Sequence, residues 1–515
     1  MPIRTLSIAA ALACAALPAF AEPRTATIRD PDTRAWWEIA EHLSSDAMEG
    51  RDTGSPGYDR AAAWVIERFK AAGLTPAGEN GGWTQTFPVH EAKVESEGTQ
   101  IAVVAADGTS TPLRFLHDVT VRAADDLPAR LDAPLAFAAD CRAEDLAGAR
   151  GKVAVCFNTR RTGRTSGAER VRNAQAAGAV GLIQVDDPYF TIEPPRWPAA
   201  YARSVGIADG TPDADGGFPV MVLNAEALPR LIAGSGQDAA ALLKAGGAGA
   251  RAPIFDIPAR LTATFKVTTR DYTASNVLAL MPGADAKLKG EILALSAHLD
   301  GYGYGEPVDG DGLYNGTLDD AAYVGTLIRF AERHKGKPLK RSVLLAVVTG
   351  EEKGLLGSRW FVAHPTVPKD ALVADLNLDQ LRPLYPLTLL TVAAIDESTL
   401  GDTARALAAA QGIRTQADPE PERNLLRRSD HWPFMQIGVP ATGFIFGVEP
   451  GTEAEARYRE WYRTRYHRPQ DDIGQPMDFE AAGAFNRFFY ALAETVADAP
   501  QRPAWKPGSA YTPKP

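Results

Sequence analysis

The chain has 515 residues, too long for one ordinary hydrophobic core, so we expect two or three domains. Its hydrophobic content of 45% and its charged content of 23% are typical of a globular protein in water. The formal net charge of −10, without any basic run, argues against nucleic acid or an anionic membrane as a partner.

The first 21 residues have the features of an export signal. Arg4 provides a positive start, an apolar stretch follows, and Ala19 and Ala21 form a small-x-small cleavage site. The apolar stretch is too short to span a bilayer comfortably. We therefore expect a signal peptide over residues 1–21 and a mature chain that begins at Glu22, in the periplasm or outside the cell. Lipidation at Cys14 is the alternative, and the sequence before that cysteine matches it poorly.

Residues 22–125 are predicted to be the N-terminal part of the main domain. In "RAAAWVIERFKAAGL" the apolar residues Val65, Ile66 and Phe69 lie near one face of a helix, and Gly73 suits the end of that helix. The segment before it is rich in Gly, Ser and Asp, which indicates a loop.

Residues 126–262 differ in character and predict a strand-rich module. One helical run, "ERVRNAQAAGA", lies among short apolar runs that turn residues separate: "APLAFAA", "GKVAVCF", "AVGLIQV" and "FPVMVL". Apart from Cys14, the only cysteines are Cys141 and Cys156, both in this module. In an exported protein we expect them to form a disulfide, with two separate buried thiols as the alternative.

Between residues 263 and 498, predicted strands and helices alternate, which is typical of an α/β layered sheet. The predicted strands include "NVLALMPG", "EILALSAHLD", "RSVLLAVVTGEE" and "VADLNLDQL". The predicted helices include "DDAAYVGTLIRFAERH", "GSRWFVAHP" and "LGDTARALAAAQG". Residues 499–515 are rich in proline and are expected to form an extended tail.

Polar side chains follow the strands of this last domain, where sites in such sheets usually lie. His298 and Asp300 are two residues apart, so in an extended segment they point the same way and the carboxylate can orient the imidazole. Asp379 lies inside an apolar predicted strand, where an unpaired carboxylate is costly. A surface histidine is the ordinary explanation of His298 taken alone.

Three further polar groups lie in the same domain. Glu351 and Glu352 stand side by side at the end of an apolar run, Asp319 lies at a predicted helix start, and His467 lies in a loop. Helix capping by Asp319 and a solvated acidic turn at the Glu pair are the structural alternatives. Together, the two imidazoles and the carboxylates form a ligand set that suits Zn²⁺ better than Ca²⁺ or Mg²⁺. The number of ligands is enough for two ions that share a carboxylate.

The order of these motifs resembles the M28 family of zinc aminopeptidases over about residues 270–495. The motifs that carry the resemblance are His298-x-Asp300, Gly316-Thr-Leu-Asp319-Asp320, Gly350-Glu351-Glu352, Asn377-Leu-Asp379, Ser429-Asp430-His431 and Tyr466-His467. Residues 126–262 resemble the protease-associated domain that many family members carry as an insert. The resemblance implies an α/β/α sandwich around a mixed, mostly parallel sheet, with that strand-rich domain inserted.

Carried over by position, the family pattern implies a site with two zinc ions that acts on a peptide substrate. Asp319 would bridge the ions; the other implied metal ligands are His298, Asp379, Glu352 and His467. Glu351 would be the general base that takes a proton from the metal-bound water, and it would later pass that proton to the leaving amine. Asp300 would be the partner of His298, and Tyr466 would donate a hydrogen bond to the reacting carbonyl.

The sequence departs from the family pattern in one place. Asp319-Asp320-Ala321-Ala322-Tyr323 stands where the family usually has Asp-Asn-x-Ser-Gly, which puts the helix packing and the substrate fit in question, but not metal binding. His431 resembles a neighbour of the ligands rather than a ligand. The other histidines have no motif and are expected on the surface or in the core.

We interpret the protein as an exported di-zinc aminopeptidase. A carboxypeptidase or dipeptidase of the same family, a glutaminyl cyclase-like enzyme with one zinc ion, and a non-catalytic binding protein remain as alternatives. Which end of the peptide is cut depends on charge, because a terminal carboxylate is best held by arginine and a terminal ammonium by carboxylates. Acidic residues favour the ammonium, whereas Arg423, Arg427 and Arg428 raise the question of a cation that reaches the cleft.

Overall fold

The computed structural model describes residues 24–210 and 216–512. The predicted signal peptide, its cleavage site and Cys14 therefore lie outside the described residues. Within the described ranges the α-helices are Pro31–Leu43, Pro56–Ala72, Gly167–Ala176, Leu228–Leu231, Ala239–Ala248, Ala322–Arg333, Leu356–Ala363, Thr399–Ala410, His431–Gln436, Glu453–Thr464 and Phe479–Asp498.

A mixed sheet forms the centre of the main domain. Among the described residues it has eight strands, seven of which lie side by side in this order: Ala441–Thr442, Leu372–Asn377, Ile292–His298, Ser342–Val348, Val267–Met281, Thr84–Val94 and Arg203–Ile207. The short strand Thr75–Pro76 pairs beside Val267–Met281. Pairing is parallel among the first four strands and antiparallel from Val267–Met281 onwards. The predicted mixed sheet is confirmed, and its parallel part is confined to the four strands at one end.

Helices cover both faces of this sheet because its strands alternate apolar residues between two cores. Leu293 and Leu295 pack into the core beneath helices Pro31–Leu43, Pro56–Ala72 and Ala322–Arg333. Ala294, on the opposite face, packs with residues of Leu356–Ala363 and His431–Gln436. This is the three-layer α/β/α arrangement that the resemblance implied.

The helix predicted before residue 74 is confirmed as Pro56–Ala72. The side chain of Ser55 accepts a hydrogen bond from the backbone N–H of Tyr58, which satisfies one free donor of the first turn. Gly73 follows the helix with φ of 86°, a left-handed conformation that glycine adopts without strain.

A second sheet forms the inserted domain. It contains, in spatial order, Ser110–Leu113, Gln100–Ala105, Phe255–Thr264, Arg130–Phe137, Val153–Asn158, Gly181–Asp186, Val220–Leu223 and Val119–Val121. Three of these strands precede residue 126, where the change in composition predicted the boundary. In contrast, Arg203–Ile207 lies inside the predicted insert but pairs with the main sheet. Amino-acid composition does not predict that a strand of the insert pairs with the main sheet, because that pairing depends on which sheet edge is free.

The inserted domain is closed by the predicted disulfide. Cys141 is bonded to Cys156 with their Cα atoms 5.7 Å apart, and both side chains are buried in a small apolar cluster beside helix Gly167–Ala176. The expectation of a disulfide is therefore confirmed.

Two smaller sheets and the end of the chain complete the structure. The hairpin Gly303–Val308 with Asp311–Tyr314 lies after His298, and the strands Arg414–Gln416, Leu389–Val392 and Phe444–Phe446 pair together. The proline-rich segment packs on the main domain: the Trp505 indole N–H donates to the carbonyl of Gly438, and Tyr511 contacts Trp432 edge-on. Within residues 24–210 and 216–512, no helix combines the length and apolar character that crossing a bilayer requires.

Candidate metal centre

The parallel part of the main sheet brings two of the predicted ligands and the Glu pair to one edge. Strand Ile292–His298 lies between Ser342–Val348 and Leu372–Asn377, with His298 opposite Val348 and Ser296 opposite Asn377. All three strands run in the same direction, so their carboxyl ends meet. His298, the turn with Glu351 and Glu352, and Asp379 therefore lie around the same point.

Asp319 reaches this point from an irregular turn rather than from a regular helix start. Residues Thr317–Ala321 form a π-type turn in which Asp319 and Asp320 have non-helical backbone angles, and the α-helix begins at Ala322. The Asp471 carboxylate, 1% exposed, accepts hydrogen bonds of 3.0 Å from the backbone N–H groups of Leu318 and Asp319. Neither side-chain oxygen of Asp319 has a hydrogen-bond partner, so helix capping does not explain this residue.

His467 approaches from the other side of Asp319. Its Nδ1 lies 2.7 Å from the hydroxyl of Tyr302, which leaves Nε2 to face the acidic groups. Burial lowers the pKa of His467 to about 4, which keeps the imidazole in the neutral form that binds metals.

The five predicted ligands form two groups that share Asp319. In one group His298 Nε2 lies 3.2 Å from Asp319 Oδ1 and 3.9 Å from Asp379 Oδ1. In the other, His467 Nε2 lies 3.1 Å from Asp319 Oδ2 and 3.2 Å from Glu352 Oε2. Within each group the potential ligand atoms all lie within 4.8 Å of one another. Asp319 thus directs one oxygen at each group.

These residues fit a metal because their ligand atoms are buried and have no other partner. His298 Nε2, His467 Nε2, both oxygens of Asp319 and Oδ1 of Asp379 lack a hydrogen-bond partner. Buried polar atoms are normally paired, since leaving them unpaired costs about 1–3 kcal/mol each. Two imidazoles with three carboxylates suit Zn²⁺ by donor type.

The local charge also favours a cation. Burial by itself lowers the pKa of His298, but the carboxylates of Asp320, Asp319 and Asp379 raise it well above its usual value. Burial, together with neighbouring carboxylates, likewise raises the pKa of Glu351 and of Glu352. The carboxylates that raise the pKa of His298 are negative charges that bound cations would neutralise.

The two adjacent glutamates point to different places. Glu352 lies in the second ligand group, whereas Glu351 Oε2 lies 3.9 Å from His298 Nε2 and belongs to neither group. Glu351 is 8% exposed and lines the cavity described below. Its carboxylate is therefore free of the ligand groups while it remains beside them.

Asp300 is placed differently from the expectation. His298 Nδ1 lies 3.0 Å from the main-chain carbonyl of Asp300, while the Asp300 carboxylate is 3.7 Å away. That carboxylate instead accepts hydrogen bonds from the backbone N–H groups of Glu351 and Glu352, at 3.2 and 3.4 Å, and from the hydroxyl of Thr53 at 3.1 Å. The carboxylate thus holds the turn of the Glu pair, and the backbone carbonyl orients the imidazole.

Tyr466 lies beside His467, with ring centroids 3.7 Å apart. Its phenolic oxygen accepts hydrogen bonds from Gln380 Nε2 at 3.3 Å and from Arg428 Nη2 at 3.4 Å. Among the three arginines noted in the sequence, Arg423 is buried, Arg427 lines the cavity described below and lies over the ring of Trp432, and Arg428 lines the same cavity and contacts Tyr466. Arg428 is not a free cation, because it is paired with Glu193 of the inserted domain.

The Asp430–His431 pair lies behind the ligands. Asp430 accepts a hydrogen bond from the hydroxyl of Ser358, and His431 Nδ1 lies 3.4 Å from Asn377 Oδ1. Neither residue belongs to a ligand group. The placement agrees with the interpretation of His431 as a neighbour of the ligands.

Two cavities meet at the centre. One, of about 630 Å³, is lined by Glu351, Asp379 and Tyr466 at one end and by apolar residues such as Leu426, Phe444 and Ile445 farther out. The other, of about 350 Å³, lies on the far side of Tyr302 and His467 and is walled by the inserted domain through Asp187, Glu193 and Arg196. A bound molecule that extends from one cavity into the other would thus contact both domains.

Sequence reasoning did not assign a role to several residues that hold the ligands. Tyr302 fixes His467, Ser429 donates to Asp379 Oδ2 at 2.5 Å, and Asp471 holds the backbone of Asp319. Ser429 and Asp471 lie inside or beside the motifs quoted above, so their proximity to a motif was the one feature of the sequence that could have indicated their role. Tyr302 shared this feature, since it follows the motif His298-x-Asp300 by two residues, whereas nothing local marks Thr53 or Glu193, which meet the site only through the fold.

Comparison with known families matches two parts of the chain. Residues 276–493 match the model described as Peptidase family M28, and residues 128–228 match the PA domain. The first range contains all five ligand candidates, Glu351 and Tyr466, and the second contains Glu193.

Individual proteins are similar to this chain over all or part of its length. Leupeptin-inactivating enzyme 1 of Streptomyces exfoliatus is 26% identical over 272 residues, which cover 50% of this chain and 58% of that enzyme. The aminopeptidase from Aneurinibacillus sp. strain AM-1 superposes with a TM-score of 0.61 at 19% identity, covering 94% of this chain and 98% of the other. BSAP, a zinc aminopeptidase from Bacillus subtilis, superposes with a TM-score of 0.56 at 19% identity, covering 90% and 95%. At this identity the two structures establish the fold.

Proposed function

Since residues 276–493 match peptidase family M28 and residues 128–228 match the PA domain, we propose that this chain is an exported aminopeptidase of that family that uses two zinc ions. The observation that carries the proposal is the pair of ligand groups that share Asp319, each with one imidazole and one further carboxylate. His298 and Asp379 would hold one ion with Asp319, and Glu352 and His467 would hold the other.

The bound ions would lower the pKa of water towards neutrality and polarise the scissile carbonyl. Glu351 accepts the proton of the attacking water, because it lies beside the ligand groups without belonging to either. The same carboxylate then gives the proton to the leaving amine. Asp300 keeps Glu351 in place through the backbone of the turn.

The hydroxyl of Tyr466 donates a hydrogen bond to the carbonyl oxygen as negative charge develops on it. Such donors act mainly in the transition state, and losing one typically lowers turnover by about 10²–10³-fold. The adjoining cavity of about 630 Å³ would take the side chain of the residue that is removed.

A free amino terminus is the end that this site favours. Carboxylates surround the centre, and of the arginines that line the adjoining cavity, the one that contacts Tyr466, Arg428, already has its charge balanced by Glu193. A substrate carboxylate would therefore find no free guanidinium at Arg428, whereas a substrate ammonium would find acidic groups.

One peptide in three forms tests the proposal: unmodified, N-acetylated and C-amidated. We expect acetylation to abolish cleavage and amidation to leave the rate nearly unchanged, and zinc analysis of the purified enzyme should give two ions per chain. The opposite peptide result would identify a carboxypeptidase. One zinc ion with cyclisation of an N-terminal glutamine would identify a cyclase, and absence of both zinc and turnover would indicate a binding protein.

A further inference from the structure

Glu193 of the inserted domain is the centre of a buried cluster of arginines. Its carboxylate, 3% exposed, lies 2.7 Å from Arg428 Nη1, 3.1 Å from Arg428 Nη2 and 3.1 Å from Arg160 Nη1. Arg196 and Arg423 approach it to 3.7 Å. Burial alone would raise the pKa of Glu193, but Arg428 and the other guanidinium groups lower it below its usual value. Glu193 is thus a buried negative charge whose main partner belongs to the other domain.

The Glu193–Arg428 pair is bidentate, which fixes the plane of the guanidinium as well as its position. Arg423 adds a carbonyl acceptor at 3.3 Å from Arg428 Nη1. With its guanidinium held in this way, Arg428 places Nη2 3.4 Å from the phenolic oxygen of Tyr466.

The direction of the hydrogen bonds at Tyr466 follows from donor chemistry. Arginine has no acceptor, so the phenolic oxygen accepts from Arg428, and it also accepts from the amide of Gln380. Two incoming donors occupy both lone pairs of that oxygen. The hydroxyl hydrogen is then left to donate to a third group. Tyr466 lines the cavity beside Glu351, so that third group would be a molecule bound in this cavity.

We propose that Glu193 is a positioning residue through which the inserted domain orients the hydroxyl of Tyr466, with Arg428 as the link. Arg196 supports the same arrangement, because its guanidinium lies 4.5 Å from the centre of the Tyr466 ring. The inserted domain therefore contributes to turnover itself. The inference rests on the proposed function, since it assigns Tyr466 as the donor to the reacting carbonyl.

A double-mutant cycle of Glu193→Ala and Tyr466→Phe tests the link. We expect Glu193→Ala to lower kcat by about tenfold, as removal of groups that orient a site does, with KM changed by less than about twofold. In the Tyr466→Phe background the same substitution should have almost no further effect. Glu193→Gln keeps one acceptor oxygen and should recover part of the loss.

Asp118→Asn provides the matched control. Asp118 is also a buried carboxylate of the inserted domain, 3% exposed, and it pairs with Arg230 at 2.8 Å and with Arg114 at 3.3 Å. The Asp118→Asn substitution should lower the stability of the protein without the fall in kcat that is expected for Glu193→Ala. If Asp118→Asn reduced kcat as much as Glu193→Ala, or if Glu193→Ala and Tyr466→Phe were additive, the proposal would be overturned.

Crystal structures of the wild type and of Glu193→Ala supply a readout that does not depend on activity. We expect Arg428 to leave Tyr466 in the variant while the ligand residues keep their positions. An unchanged contact between Arg428 and Tyr466 would overturn the proposal even if the enzyme proved active. Failure of the wild type to cleave any peptide would instead count against the proposed function, and the two failures are therefore distinct.

Discussion

At the scale of single residues, the adjacent glutamates show how one turn can serve two purposes. Successive side chains cannot face the same point with the same geometry, and here only Glu352 lies in a ligand group. Asp300 accepts a hydrogen bond from the backbone N–H of each glutamate, so one buried carboxylate orients both. The backbone of this turn, held by Asp300, thus sets the different directions in which the Glu351 and Glu352 side chains point.

Substitution of each glutamate should separate the two roles. Glu351→Gln preserves shape but removes the base, so we expect kcat to fall by a factor of about 10²–10⁴ with zinc retained. Glu352→Gln removes a ligand and should weaken zinc binding instead. Zinc content by elemental analysis and kcat for both variants provide the measurement, and each variant is the control for the other. Loss of zinc from Glu351→Gln with retention by Glu352→Gln would reverse the assignment.

At the scale of elements, three strand ends supply one side of the centre, and irregular turns supply the other. Strands Ile292–His298, Ser342–Val348 and Leu372–Asn377 present their groups together because they are parallel. Asp319 has no strand to hold it, and its turn is attached to the segment after His467 through Asp471. The position of the Asp319 carboxylate, which both ligand groups share, therefore depends on a contact between two loops.

Asp471→Asn should weaken this contact. The amide retains one acceptor oxygen, so one of the backbone N–H groups of Leu318 and Asp319 would lose its partner, at a cost of about 1–3 kcal/mol. We expect zinc affinity to fall by about 10–100-fold, as for other groups that orient ligands. Titration with a competing chelator measures the affinity. The neighbouring substitution Asp472→Asn is the control, since that carboxylate accepts from the local backbone N–H of Gly474. Equal zinc loss from both variants would contradict the role of Asp471.

At the scale of the whole molecule, two domains with separate cores meet at one site. The inserted domain has its own apolar core, and the chain passes between the domains through Thr84–Val94 and Val267–Met281. The disulfide stabilises the inserted domain from within, in a cluster distinct from the metal centre. Stability of the insert and metal binding should therefore be separable.

The double substitution Cys141→Ser with Cys156→Ser tests this separation. The bond closes a loop with a sequence separation of 15, for which the entropy of the unfolded chain predicts a loss of about 3 kcal/mol. We expect the unfolding temperature of the inserted domain to fall in calorimetry, with zinc content unchanged. Reduction of the wild type should have the same effect as the substitutions. An unchanged unfolding profile, or loss of zinc, would contradict the expectation.

Much of the fold follows from local pattern. The helix Pro56–Ala72 and the strands that end at His298, Val348 and Asn377 were predictable, because apolar periodicity and capping residues act over a few neighbours. The long pairing of Thr84–Val94 with Val267–Met281 was not predicted. Those strands lie far apart in the chain, with most of the inserted domain between them, so no local pattern indicates their pairing.

The ligand candidates could be named from the sequence because each one lies in a short motif of a few neighbouring residues. Examples are a histidine two residues before an aspartate, and a pair of glutamates after an apolar strand. The way these groups are held was decided by the tertiary structure alone. Only the fold shows that the Asp300 carboxylate binds the Glu351–Glu352 turn, that Tyr302 fixes His467, and that Glu193 pairs with Arg428 across 235 residues. Short-range pattern determines which chemical groups are present, whereas their hydrogen bonds depend on distances that only packing sets.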